Sequence, residues 1–236
     1  ARDYDEEVQE ILGLATKIYR CQISAVNPYP DHALEVQWAQ FAWGEACKQL
    51  DVNVAATPVI VKIITKRTSQ VRGELKGKIK PLVESLYGFE GGSARTTIIQ
   101  NRERAENLKD DYAFVYKLSR TLRKGMYEHP IIQKAINAMW FVNKHDEGVR
   151  LYPYFNPISI ETFAFVLAAI ECGIDEWGTG TRTEVHFTAD DYRPVYETHK
   201  ASLEAFDTFS DDAHRVLLKI RTKLHNEARY SIFYHH

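Results

Sequence analysis

Two groups of residues have types and spacings that could do chemistry. The first is basic. Lys62, Lys66, Arg67, Arg72, Lys76, Lys78 and Lys80 face Glu74 alone between positions 62 and 80, a local +6 in a chain of net charge −2. On one continuous helix, Lys62, Lys66, Arg72, Lys76 and Lys80 share a stripe, beside an apolar stripe of Ile60, Val61, Ile64, Val71, Leu75 and Ile79. Lys62, Lys66, Arg67, Arg72, Lys76 and Lys80 are therefore the candidate partner-binding face, and its partner would be nucleic acid or an acidic protein. A solvated face that only keeps a helix soluble has the same pattern.

The second group is acidic. Glu171 and Asp175 are four apart, which puts both carboxylates on one side of a helix. With Trp177 and His186 they form the alternative pocket, and Glu176 and Asp190 could extend it to a metal or acid–base site. The plainer expectation is a polar helix end whose carboxylates face solvent or pair with arginines outside any cavity. Tyr152, Tyr154, Phe155, Phe163, Phe165, Trp177 and Phe187 could line an apolar cavity, although such clusters are more often core.

Recognisable catalytic and metal motifs are missing: no His-Glu-x-x-His, no glycine-rich phosphate loop, no nucleophile elbow. No cofactor or metal is expected. Cys21, Cys47 and Cys172 are far apart and none forms a Cys-x-x-Cys pair, which points to reduced thiols and an intracellular setting, cytoplasmic or nuclear. The opening ARDYDEE is acidic where a secretory leader would be basic, and His235–His236 reads as a tag remnant.

The elements that must position these groups are helices. Residues 157–172 (PISIETFAFVLAAIEC) are apolar on nearly every side, the pattern of a helix buried all round. Sixteen residues with a polar start are too few to span a membrane, which takes about 20. Asn156 is the expected N-cap and Pro157 the first helical residue. The helix from Pro130, with Ile131, Ile132, Ala135, Ile136, Met139 and Trp140, is its expected main packing partner. Upstream, helices are expected over 4–20, over 31–50 with Leu34, Trp38, Phe41, Ala42 and Ala46 inward, and over 58–88 with a kink at Pro81. Residues 89–107 look like a mobile surface loop, and a helix is expected over 108–123. The Thr188–Asp191 pair and Ser210 begin the last two helices, the first carrying Tyr192, Val195, Tyr196, His199, Leu203 and Phe206 as its apolar stripe. With 44% apolar residues and almost no strand pattern, the chain predicts one all-α domain over 1–234, of eight or nine helices around two buried ones.

Several separate landmarks also resemble a known family. Arg67-Thr-Ser-Gln-Val-Arg-Gly-Glu74, Tyr87-Gly-Phe89, Asn156-Pro-Ile158 and Glu171-Cys-Gly-Ile-Asp-Glu-Trp177 are similar to the landmarks of a domain of unknown function from mushroom-forming fungi. Thr179-Gly180, Phe187 and the Tyr192, Tyr196, His199 series fit the same pattern, so the resemblance covers about Val8 to Phe206. It implies a fungal intracellular domain from a larger protein and carries over no activity. The leading functional expectation is a binding module acting through the basic helix. The alternative is an enzyme or small-ligand binder with its site near the C-terminal end of the central helix.

Overall fold

The structure, a computed structural model, describes residues 4–118 and 124–234, without the side chains of 233 and 234. It is all-α, with no strand among the described residues. The helices are α1 (Glu6–Ala25), α2 (His32–Gln49), α3 (Pro58–Thr65), α4 (Arg67–Tyr87), α5 (Arg95–Lys109), α6 (Pro130–Trp140), the single turn α7 (Glu147–Arg150), α8 (Ile160–Asp175), α9 (Ala189–Phe209) and α10 (Asp211–Tyr234). None is long and apolar enough to cross a membrane. The expected tag remnant, His235–His236, lies outside the described residues.

Side-chain caps set most helix starts. Asp5, Asp31, Thr57, Ser159 and Thr188 each accept a backbone N–H from three residues on, at 2.8–3.3 Å, and Ser210 does the same for Ala213. The cap of α8 is thus Ser159 rather than Asn156. The helix begins three residues later than the Pro157 pattern implied and continues to Asp175.

From Thr162 to Ile170 every residue of α8 is buried, as its composition required. Its main neighbours are α9 and α4, whereas α6 packs chiefly on α4 and touches α8 at few points. Gly173 explains the close approach of α4, because a Cβ there would stand 2.8 Å from Val83 Cγ2.

Four expectations are corrected. The helix expected from Pro58 to Gly88 breaks at Lys66, not at Pro81. Thr65 and Thr68 donate their hydroxyls back to the carbonyls of Lys62 (3.3 Å) and Thr65 (3.1 Å), and Thr68 is tied to Tyr19 Oη at 2.7 Å. Pro81 is tolerated because the carbonyl it leaves unpaired belongs to exposed Gly77. The inward face of α2 is Ala39, Ala42, Trp43, Ala46 and Cys47, whose three alanines let α1 come close, and Phe41 is 50% exposed.

Most of the expected loop 89–107 is helix α5, held by polar bonds. Buried Asn101 accepts from Glu90 N (3.2 Å) and donates to Glu90 O (2.8 Å) and Gly180 O (3.0 Å). The helix expected over 108–123 is instead a 3-10 turn, Asp110–Val115, with Asp111 and Tyr112 at φ 46° and 54°. The chain then reverses, Lys117 N donating to Gly125 O and His129 N to Val115 O; residues 119–123 lie outside the described set.

Candidate functional site

The two predicted groups fare differently. The basic residues do not form one exposed face, because Arg72 and Lys76 on α4 turn toward partners inside the fold. Lys62 and Lys66 are exposed, and Lys80 is half-buried. Arg67 donates to Gln70 Oε1 at 2.6 Å. Arg72 turns inward, donating to Pro28 O (3.0 Å) with its guanidinium 5.4 Å above the Tyr29 ring. Lys76 points into the core, where it pairs with Glu176 at 2.8 Å and also donates to Val185 O. Arg182 holds the second oxygen of Glu176 (3.0 Å) and joins it to Glu84 (2.8 Å).

The acidic pair stays together and is engaged inside the fold, which corrects the expectation of solvent or arginine partners. Glu171 and Asp175 leave the same side of α8 toward the end of α5 and the flank of α9. Lys109 Nζ stands 2.5 Å from Asp175 and 3.5 Å from Glu171. Tyr192 Oη donates to Asp175 Oδ2 at 2.8 Å. Glu171 Oε2 lies 2.8 Å from His199 Nε2. Trp177 is buried against Phe89, ring centroids 5.0 Å apart, and His186 is exposed on the segment leading to α9, so neither joins the carboxylates in a pocket. Among the described residues, no three His, Cys, Asp or Glu side chains are placed to hold a metal ion.

His199 belongs to a different wall. A cleft of about 480 Å³ opens between the 110–116 turn, Met126–Tyr127 and the C-terminal half of α9. Tyr112, Val115, Tyr116, Met126, Phe206 and Phe209 make it apolar, and His199 lines it with Ser202 and Ala205. The residues once expected to line a cavity are elsewhere: Phe155, Phe163, Phe165 and Phe187 are core, and Tyr152 is exposed.

The His199 ring is 3% exposed and meets Tyr112 and Phe114 edge-on, with centroids 5.0 and 5.8 Å away. Burial alone would raise the Glu171 pKa, but the hydrogen bond from His199, with Lys109 behind, outweighs it and holds the carboxyl below its ordinary range. Glu171 is therefore an acceptor at neutral pH, and His199 Nε2 carries the proton between them. Burial pushes the Tyr127 hydroxyl up to about 12, so it stays protonated.

A larger, more polar hollow of about 750 Å³ lies beyond Tyr116, lined by Arg104, Glu103, Lys117 and His129. Its histidine is committed to the fold: Nδ1 accepts from Ile131 N at 3.3 Å and the ring stacks on Tyr87 at 4.8 Å.

A family model described as a domain of unknown function, DUF6532, matches residues 14–206. The chain belongs to that family. No curated protein and no solved structure matches the chain significantly. The DUF6532 match contains the cleft from Asp111 to Phe206 and the whole Glu171, Lys109, Asp175, Tyr192 network. Phe209 and α10 lie beyond it.

Sequence reasoning found the carboxylates and missed His199, Lys109 and the aromatic walls. One signal was present. His199 interrupts the apolar stripe of α9, and a polar side chain on a buried stripe needs a buried partner.

Proposed function

We propose that this domain is a binding module for a small, largely apolar molecule, which it takes into the cleft over His199. The observation that carries this is one buried imidazole, backed by a carboxylate, in the wall of an otherwise apolar cleft. Apolar walls supply affinity, and a single fixed polar group supplies orientation. About 480 Å³ suits a ligand of two or three fused rings. Among the described residues nothing adjacent to His199 is an activated nucleophile: Ser202 donates its hydroxyl to Thr198 O at 2.9 Å, and burial raises the Cys172 thiol to about 11. Binding rather than turnover is the reading this favours.

The competing proposal, nucleic acid or an acidic protein on the basic helix, retains Lys62 and Lys66 as its exposed members and loses the charge density that suggested it. An intracellular setting in a fungal cell, cytoplasmic or nuclear, belongs to the same proposal. It is supported by three free cysteines, all buried.

Titration with 2-naphthol, followed by its fluorescence, tests the cleft. Saturable binding at roughly 100 μM or tighter is expected for a ligand of this size. Ala205→Trp, at an exposed position on the rim, should weaken it at least about tenfold while circular dichroism stays unchanged. Binding that ignores the tryptophan would place the ligand elsewhere.

A further inference from the structure

Resting on that reading, we propose that the ligand's polar group is a hydrogen-bond donor, a phenolic or alcoholic hydroxyl accepted by His199 Nδ1, and that Glu171 is the positioning residue that sets this preference. Imidazole has two nitrogens, and fixing the proton on one leaves the other a bare acceptor. Here the fixed nitrogen is Nε2, at 2.8 Å from Glu171. Nδ1 has no partner among the described residues. The ring lines the cleft, in contrast to His225 Nε2, which is buried and unpaired among the described residues.

The groups around the ring keep this arrangement. Lys109 reaches from α5 to Glu171 and Asp175 on α8, and Tyr192 on α9 donates to Asp175, so Glu171 is left to face His199. The edges of Tyr112, on the cleft wall, and of buried Phe114 pack against the ring. Ser202, one turn along α9, already spends its proton on Thr198 O and also offers the cleft only acceptor capacity. The hydroxyls of Tyr112, Tyr116 and Tyr127 can donate or accept and do not discriminate. Among the described residues, His199 Nδ1 and Ser202 Oγ therefore favour a ligand that donates. A ligand that can only accept would leave Nδ1 unpaired in an apolar wall.

A matched pair of probes separates this from the parent reading. 2-Naphthol donates a hydrogen bond, whereas 2-methoxynaphthalene has nearly the same shape and only accepts. Near neutral pH the naphthol should bind about tenfold more tightly, the ratio one good hydrogen bond supports. In Glu171→Gln the amide can serve either tautomer, so the ratio should fall below about threefold while the ether keeps its affinity. Nitrogen-15 shifts of the His199 ring in the unmodified protein give a readout independent of any variant: Nε2 protonated and Nδ1 bare.

Equal binding of the two probes, or tighter binding of the ether, overturns the donor preference and leaves the cleft standing. A protonated Nδ1 in the neutral ring does the same. A full preference retained in Glu171→Gln removes Glu171 from the role. No binding of either probe overturns the inference and the cleft together.

Discussion

Three histidines occupy apolar surroundings, and their partners separate their roles. His199 has a carboxylate, His129 has a backbone N–H and a stacked tyrosine, and His225 has Asn226 on one nitrogen and, among the described residues, nothing on the other. Burial lowers His129 from 6.5 to about 4, and lowers His225 in the same direction. The unfolded chain takes up these protons near 6.5, the folded protein only at lower pH. The stability that rests on neutral rings is thus complete above pH 6.5 and lost as pH falls toward 4. Urea unfolding at several pH values across that window should show a falling midpoint. The fall should be shallower in His129→Asn, which keeps a capping acceptor but cannot titrate. An identical slope in the variant would mean that His129 is not held neutral by the fold. Glu171, lowered instead, contributes stability that is present above the ordinary carboxylate range. That contribution is lost only as pH falls through that range and below, at the acid end of this window.

At the scale of elements, what was legible in the sequence was whatever follows from a local rule. Caps at Asp31, Thr57, Thr188 and Ser210, and the all-round apolar surface of α8, are nearest-neighbour or single-helix properties. Helix α5 was not legible because two of its anchors are polar and distant: Asn101 bonds to Gly180, and the carbonyl of Ile98 lies against the same glycine. Apolar periodicity cannot register either. Gly180 has φ 86°, and a Cβ there would sit 2.1 Å from Ile98 O, so Gly180→Ala must push α5 away. It should cost roughly 2–4 kcal/mol and speed hydrogen exchange over 95–109 first. Gly77→Ala is the control. It lies inside α4 with nothing within 4 Å of the added carbon, so it should stabilise by roughly 0.5–1 kcal/mol. If Gly180→Ala left the exchange of α5 unchanged, the turn at 178–180 would not be what holds that helix.

Over the whole molecule, the charge pattern that looked like a surface is partly an interior. A +6 segment in a chain of net −2 suggested an external acidic partner, yet part of its complement is internal. Glu74 and Glu147 hold Arg20, and Glu176 holds Lys76 and Arg182. The carboxylate pair at 171 and 175 was legible because it lies on one helix. Its partners were not, because Lys109 and His199 arrive from helices 62 and 28 residues away from Glu171 in sequence. The same logic divides the basic stripe into two kinds of lysine. Glu176 is 2% exposed, so replacing Lys76 by methionine keeps the volume and leaves a buried carboxylate with Arg182 as its remaining cation. That should cost roughly 3–5 kcal/mol, the range for breaking one side of a buried pair. Lys62→Gln and Lys66→Gln remove exposed charges and should change stability by less than about 0.5 kcal/mol. Urea titrations of the three variants at one pH decide the point. A Lys76→Met protein as stable as its parent would return Lys76 to the surface role that its spacing first suggested.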